Sequence, residues 1–560
     1  MRIPVETLST DVLVLGGGLA GYRAAVAARE QGAQVTMAFH AHGASPYVIG
    51  FNAPIASEDP RDAPEVLFDD MVRGGYGIND RRLVRILAQQ SVDAYRELAA
   101  LGVPFAMRDG RTAQRHLSGN TYARSVYVPE GTGGALLQAL KARTRELGVQ
   151  TLSPCKLVDL LGDGERVFGA LLWKPRSASF VSVQARAAIL ATGGIGRLYP
   201  GSTYPADVAA DALGIALQAG ARLVDMEFVQ FEPVVTVWPP ACRGMEMPTA
   251  MLGDGAQLRN AQGERFMLRV NPPLGERGIE KAKMALHIQR EIDEGRGLPE
   301  GGVIFDTTLL APERLESYVS HCSRLRRAGV DPARQPPIVA PAAHSVMGGI
   351  AIDERGATGV PGLFAGGESA GGVHGASRVA GNGCADTLVF GALAGRSAAQ
   401  SLGPARIRDW PAVQAQALDR LAEACRGRAS GAQEAKQEIA AIVANCAGIW
   451  RSGAPLRAGS EALADLAARL ADARAADIAD AIALQEARRM AAVARTIVRG
   501  ALARTESRGA HQRTDHPETD DARWMCHVTF RRDAAGEIVA EETPVDGGLQ
   551  LAKAAQHRGR

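Results

Sequence analysis

Gly16, Gly18 and Gly21 stand in the spacing G-x-G-x-x-G, directly after the apolar run Val12-Leu13-Val14-Leu15. Glycine at these places lets the main chain approach a pyrophosphate without obstruction by side chains. The apolar run suits a buried parallel strand, and Ala24 to Glu30 continue with good helix formers. A helix N-terminus, with its partial positive charge, would then face the phosphate. Far along the chain, His374-Gly375-Ala376-Ser377-Arg378-Val379-Ala380-Gly381-Asn382 sets an arginine beside a histidine in a second tight backbone. A guanidinium there offers a planar clamp for a carboxylate. A dinucleotide cradle together with this second segment predicts an oxidoreductase.

One part of the cradle is missing. Val35-Thr36-Met37 supplies a second strand, and an acid near its end ordinarily holds the ribose hydroxyls. Residues 33 to 44 contain no Asp or Glu, and Phe39 occupies the position. The ribose then falls to backbone groups or to His40 or His42.

The elements that must position these groups are legible in outline. A chain of 560 residues that is 46% hydrophobic and contains 63 glycines has room for two to four packed domains and is too glycine-rich for a plain helical bundle. Residues 1–227 alternate strand-like and helix-like blocks, the rhythm of a parallel sheet with crossover helices. Within them Ala187 to Leu190 form an apolar strand that ends in Thr192-Gly193-Gly194, where cofactor contacts are expected. From 228 to 341 proline and charge increase and the rhythm breaks, which indicates an inserted domain. Leu363-Phe364-Ala365 then returns to an apolar strand, capped by Gly366, Gly367 and Glu368. Residues 403–505 carry Ala, Leu, Arg and Glu at helical spacing, and the segment from Glu506 onward reads as polar and strand-poor.

Composition also excludes. A net charge of +2 leaves no basic footprint for nucleic acid, and Arg324 to Arg327 read as a solvated helix face. Seven scattered cysteines show no C-x-x-C spacing, which argues against a disulfide framework and against a zinc or iron–sulfur site, and fits a reducing cytoplasmic setting. No signal peptide is expected, since the apolar stretch at 12 to 15 is interrupted at once by glycines, and no run approaches the length of a membrane span. No metal site is expected.

A series of segments in fixed order extends the reading over nearly the whole chain: Ala191 to Pro200, Asp225 to Phe231, Gly263 to Met267, His344 to Ile350, and Glu506 to His511. The series resembles the flavoprotein subunits of the succinate dehydrogenase and fumarate reductase family, which includes L-aspartate oxidase. The resemblance implies an α/β fold with a Rossmann-like FAD-binding domain in two pieces, 1–227 and 342–402. An α+β capping domain (228–341), a helical domain (403–505) and a small C-terminal domain (506–560) complete it. It implies FAD, with Gly16, Gly18 and Gly21 at the pyrophosphate, Thr192 and Gly193 near the adenine half, Glu368 at the ribityl chain, and backbone around Asn382, Gly383, Cys384 and Ala385 near the isoalloxazine. Some members attach the flavin through a histidine after the second strand. The comparable stretch Ala44-Ser45-Pro46-Tyr47-Val48 has none, so FAD is expected to be non-covalent.

The departures from the family matter most. Where family dehydrogenases read Q-F-H-P followed by a hydroxyl residue, this chain reads Gln230-Phe231-Glu232-Pro233-Val234, and the arginine of the proton shuttle is replaced by Leu252. Asp254 stands where the family has a glutamate of the proton relay. Moving hydrogen across a carbon–carbon bond on flavin requires hydride transfer, a proton donor or acceptor, and groups that polarise a carboxylate. Arg378 and His344 remain for one carboxylate, but Glu232 would repel a second one, so succinate and fumarate are poor candidates. Glu232 serves as the acid/base, meets a substrate ammonium or hydroxyl, or forms an ion pair with a nearby arginine. Similarly, His374 either orients Arg378 or packs beneath it. His287 and Arg290 read as a solvated face, and Glu506, Arg508, His511, Arg513 and Asp515 as a structural network. The expected activity is a FAD-dependent dehydrogenase or reductase acting on the CH–CH or C=C bond of an organic acid other than succinate. The alternatives are an aspartate-oxidase-like amino-acid oxidase and a flavoprotein subunit that works with an iron–sulfur or other electron-carrier partner, through which it could associate with a membrane.

Overall fold

The computed structural model describes residues 4–129, 131–403, 409–425 and 427–545, so part of the expected helical domain and the last stretch of the C-terminal domain, 546–560, lie outside the described residues. The strand Val5–Leu15 is the hub of a seven-stranded sheet. It runs parallel to Val35–Ala38 on one side and to Ser179–Leu190 on the other, and Gln150–Leu152 extends the parallel set. Val167–Lys174 and Lys156–Gly162 add an antiparallel flank, while Leu363–Ala365, from the second half of the sequence, lies parallel to Ala188–Leu190. Central strands covered on both faces read as continuous apolar runs. Val12 to Leu15 and Ala187 to Leu190 are accordingly fully buried.

Backbone proximity makes the glycines necessary at the turn. Gly16 has φ +134°, and a Cβ there would lie 2.0 Å from the Ala191 carbonyl oxygen. The helix Leu19–Glu30 that follows is docked against the helix Asn382–Gln400 at two further glycines. A Cβ on Gly391 would meet the Ala20 carbonyl at 2.5 Å, and one on Gly395 would meet the Ala24 carbonyl at 2.2 Å. These contacts fasten the second sequence piece to the first.

The inserted segment builds its own layer, with an antiparallel sheet in the order Val229–Trp238, Ile338–Val346, Val303–Asp306, Gln257–Arg259. Its helices include Lys281–Asp293 and Val319–Arg327, and its core gathers Val234, Met247, Leu252, Leu258, Phe266 and Ile288. The two strands that enter and leave this cap pair with each other. Their register steps from Gln230↔Ser345 to Phe231↔Ala343, so His344 has no partner opposite it. Such a bulge re-aims a side chain.

Four helices, Trp410–Ala424, Ala432–Cys446, Gly453–Asp472 and Ile478–Ala503, follow as the spacing predicts. The strand-poor reading after Glu506 is corrected. Cys526–Arg532 and Ile538–Pro544 form a hairpin whose first strand pairs with Leu223–Val224. The second strand is buried only at Ile538 and then alternates half-buried and exposed positions to Pro544, with Glu541 and Glu542 in it, so an edge strand with a charged open face resembled a polar loop in sequence. Among the described residues no helix is long and apolar enough to cross a membrane.

Candidate active site

A continuous cleft of about 3140 Å³ follows the C-terminal ends of the parallel strands and passes beneath the cap. Gly16, Gly18, Thr192, Gly193, Glu368, Gly383 and Cys384 line it. Gly21 and Asn382 stand behind the wall. A Cβ on Gly21 would meet the Gly16 carbonyl at 2.1 Å, so this glycine permits the helix to close on the turn. Asn382 accepts from Asn52 Nδ2 through its Oδ1 at 2.6 Å, and its own Nδ2 is buried without a partner. Ser369 Oγ accepts from the backbone N–H groups of Thr192 and Gly193 at 2.8 and 3.0 Å, which fixes that strand end. Cys384 is no nucleophile, since burial pushes its thiol up to about 12.

The missing ribose acid has substitutes outside the second strand. Phe39 packs against Gly17, where a Cβ would lie 2.4 Å from the ring, and His42 Nδ1 donates to the Gly17 carbonyl at 2.8 Å. The other ring nitrogen of His42 accepts from Lys141 Nζ at 2.8 Å. Asp207, in a later loop, and Asp211, which opens the helix Asp211–Gln218, line the cleft, and Asp207 accepts from the Gly43 N–H at 3.0 Å. Burial, followed by the neighbouring Glu486, raises Asp211 to about 6. Glu368 accepts from Ser345 Oγ and the Val346 N–H at 3.2 Å each and from the Tyr204 hydroxyl, all on one oxygen, so the other has no partner among the described residues. A side-chain-free phosphate turn, a free carboxylate oxygen and the start of the helix Asn382–Gln400, which reaches the cleft at Gly383 and Cys384, fit a dinucleotide flavin.

Beneath the cap the structure brings together Arg378, His344 and Glu232. Arg378 makes no ion pair among the described residues, and its Nε is buried without a partner. His344 Nδ1 shares a hydrogen bond with Thr203 Oγ1 at 3.0 Å, and burial lowers the ring to about 4, so it is neutral at ordinary pH. Glu232 is 2% exposed. It pairs with a lysine rather than an arginine: Lys281 Nζ, in the first turn of the cap helix, donates to both of its oxygens at 2.8 Å. The same ammonium lies 3.5 Å from Glu246 Oε1. Burial and then Glu246 raise Glu232 to about 7, against the pull of Lys281 and Arg378. Burial opposes the charge on Lys281, but Glu232 and Glu246 outweigh it and hold the ammonium above its ordinary value. Likewise, burial opposes the charge on Glu246, and Lys281 and His344 pull that carboxyl below its ordinary range.

Ligand atoms of Glu232, Glu246 and His344 lie within 4.8 Å of one another, a spacing compatible with a metal ion, but the Lys281 ammonium already supplies the positive charge there. Lys281 and Glu246 were not singled out from sequence. A lysine opening a helix and a lone glutamate in a loop carry no spacing signal, and Lys281 meets Glu232 across 49 residues of chain.

Other expected residues take no part in the hydrogen bonds of this cluster, although Asp254 and His374 line the same cleft. Asp254 accepts from the Tyr318 hydroxyl at 2.6 Å and pairs with Arg314 at 3.1 Å, within the cap. Leu252 is buried in the cap core and does not line the cleft, so its replacement of an arginine opens no gap in the site. His374 lies 3.6 Å from Asp386. Arg290 is exposed, as expected of a solvated face, but its guanidinium also stacks 5.1 Å from the Trp450 ring centroid. The Glu506 cluster is structural: Arg508 binds Glu506, Arg513 binds Asp515, and His511 bonds to Arg451.

Comparison with known proteins gives concordant results. Residues 11–384 match the FAD binding domain family and residues 436–554 the fumarate reductase flavoprotein C-terminal family. The chain is 36% identical over 551 residues to one subunit of the fumarate reductase (CoM/CoB) of Methanothermobacter marburgensis, covering 94% of this chain and 98% of that one. It is 32% identical over 547 residues to the L-aspartate oxidase of Streptomyces coelicolor, covering 94% and 92%. Among solved structures, FrdA of a mutant E. coli quinol fumarate reductase superposes with a TM-score of 0.89 at 29% identity, covering 98% of this chain and 99% of that chain.

Proposed function

Because the chain belongs to the succinate dehydrogenase and fumarate reductase family of FAD-dependent flavoprotein oxidoreductases, we propose that it moves hydrogen across the CH–CH or C=C bond of an organic acid other than succinate. The observation that carries this reading is the balance of charge beneath the cap. Among the described residues Arg378 makes no ion pair with an acid and only feels Glu232, Glu246 and Glu368 from a distance, whereas Lys281 is already bracketed by Glu232 and Glu246. One carboxylate therefore finds a free guanidinium, and a second one at close range finds an acid.

Gly16, Gly18, Thr192, Gly193, Glu368, Gly383 and Cys384 would hold the FAD along the cleft, with Asn382 supporting from behind, and no covalent link is assigned. Bound there, FAD supplies the hydride acceptor or donor. The remaining steps belong to the protein. Arg378 grips the substrate carboxylate through its planar fork, and neutral His344 contributes a hydrogen bond from its free ring nitrogen. Glu232 takes a proton from the carbon beside the one that exchanges hydride, or returns it in the reverse direction. A carboxyl that titrates near neutral pH suits both directions. Lys281 stabilises the ionised Glu232, and Glu246 keeps Lys281 charged.

Anaerobic titration of the oxidised, FAD-loaded protein with succinate, L-aspartate and saturated monocarboxylic acids tests the proposal. Bleaching of the flavin by a monocarboxylic acid but not by succinate is expected, and bleaching by succinate alone would refute it. An amino-acid oxidase is disfavoured, because the Lys281 ammonium already sits on Glu232 and would repel a substrate ammonium there. The relatives named as subunits favour an electron-carrying partner, for which an iron–sulfur protein is the class we propose.

A further inference from the structure

The cleft does not end at the Glu232 cluster. It continues outward between the loop that carries Arg243 and Glu246 and the helix Val319–Arg327, where His321 and Arg324 line it. His321 makes a hydrogen bond to the Glu246 backbone and lies in the field of Arg324, so this branch starts at the inner site. Cys242, the neighbour of Arg243, contacts the Arg324 carbonyl through its Sγ at 3.6 Å, which places the two arginine-bearing segments side by side.

Arg259, Arg265, Arg269, Arg296, Arg314 and Arg326 each bind an acid. Arg243, Arg277, Arg290, Arg324 and Arg327 have no ion pair with an acid among the described residues, and of these Arg243 and Arg324 line the cleft. A guanidinium left without a carboxylate at the end of a substrate channel is a ready receptor for an oxyanion. The inner cluster, by contrast, has no spare cation beyond Arg378 among the described residues.

We propose that Arg243 and Arg324 form an outer subsite for a second, distal anionic group. On this view the substrate is an elongated acid whose inner carboxylate meets Arg378 and whose far end bears a carboxylate or a phosphate-type group. The proposal rests on the inner reading given above and adds the length and second charge of the substrate. It also explains how a site hostile to succinate accepts a dianion: the two charges are held on either side of Glu232 and Glu246 rather than both beside them.

Calorimetric titration of the FAD-loaded protein tests this without turnover. The probes are glutarate, adipate and pimelate, each set against the monocarboxylate of equal chain length, with 4-phosphonobutyrate to separate a phosphate-type from a carboxylate terminus. At least one long dianion is expected to bind about tenfold more tightly than its monoanionic counterpart, with the advantage shrinking as salt is added. The Arg243→Gln/Arg324→Gln double variant should lose that advantage and keep its affinity for the monocarboxylates. Equal binding of mono- and dianions at every length, or an advantage that survives the double variant, would overturn the outer subsite. Arg378→Lys separates the two readings, since it should weaken both probe classes. If it weakens neither, the inner carboxylate assignment falls while the outer comparison still stands on its own result.

Discussion

Burial raises Glu232, two neighbours of opposite charge adjust it further, and the two make opposite predictions. Removing the ammonium in Lys281→Met takes away the partner that favours the carboxylate, so the acid/base limb of the pH–rate profile should move to higher pH. Removing the like charge in Glu246→Gln should move it to lower pH. In the oxidative direction Glu232 must be ionised, so the rate of the parent protein should rise as pH increases through about 7, and in the reductive direction it should fall. Glu232→Gln should abolish that limb in both directions. Steady-state rates across a pH series check all three variants, and shifts of the same sign in Lys281→Met and Glu246→Gln would remove the lysine from the relay. Arg378→Lys should lower kcat/KM by about 100-fold while the flavin stays bound, because an ammonium cannot reproduce the planar fork.

At the scale of elements, the packing of the helices Leu19–Glu30 and Asn382–Gln400 depends on glycine. Gly395→Ala would drive a methyl group into the Ala24 carbonyl and force the helices apart, at about 1–3 kcal/mol. Both helices open onto the cleft, so the variant should also shed FAD more readily on gel filtration. Unchanged melting and unchanged flavin content would show that the helices yield without loss. Sequence disclosed this region well, because a glycine turn after an apolar run follows from short-range sterics. It disclosed the cap chemistry less well. The Lys281–Glu232 pair arises only when a helix N-terminus is laid across a distant strand, and the His344 bulge is a matter of register between strands separated by the whole insertion. The C-terminal hairpin was missed for a related reason: its second strand is only half-buried along one face beyond Ile538, so its charged positions hid the alternation.

Across the whole molecule, the flavin-binding piece and the C-terminal segment are joined by a buried ionic network. Arg504 Nε donates to Glu227 at 2.8 Å, its Nη1 lies 3.2 Å from Glu506, and its remaining donors reach the carbonyls of Trp524 and Cys526. All three side chains are inaccessible to solvent. Arg504→Met would leave Glu227 buried without its cation and Glu506 with Arg508 alone, a change that costs about 3–5 kcal/mol. A clear fall in melting temperature, with loss of the C-terminal hairpin's protection from hydrogen exchange, is the expected result. An unchanged melt would mean that the carboxylates find other partners or take up protons.

The sheet carries a consequence for the order in which the protein is made. Ala188 to Leu190 emerge from the ribosome long before their neighbour Leu363–Ala365, and the glycine-notched helix that backs the cofactor turn comes later still. Domains generally fold as units as the chain is synthesised from its N-terminus. Here the first unit is born with an open sheet edge and half a nucleotide cleft, so stable loading of the flavin must wait until the cap has been spun out and the chain has returned to close the edge.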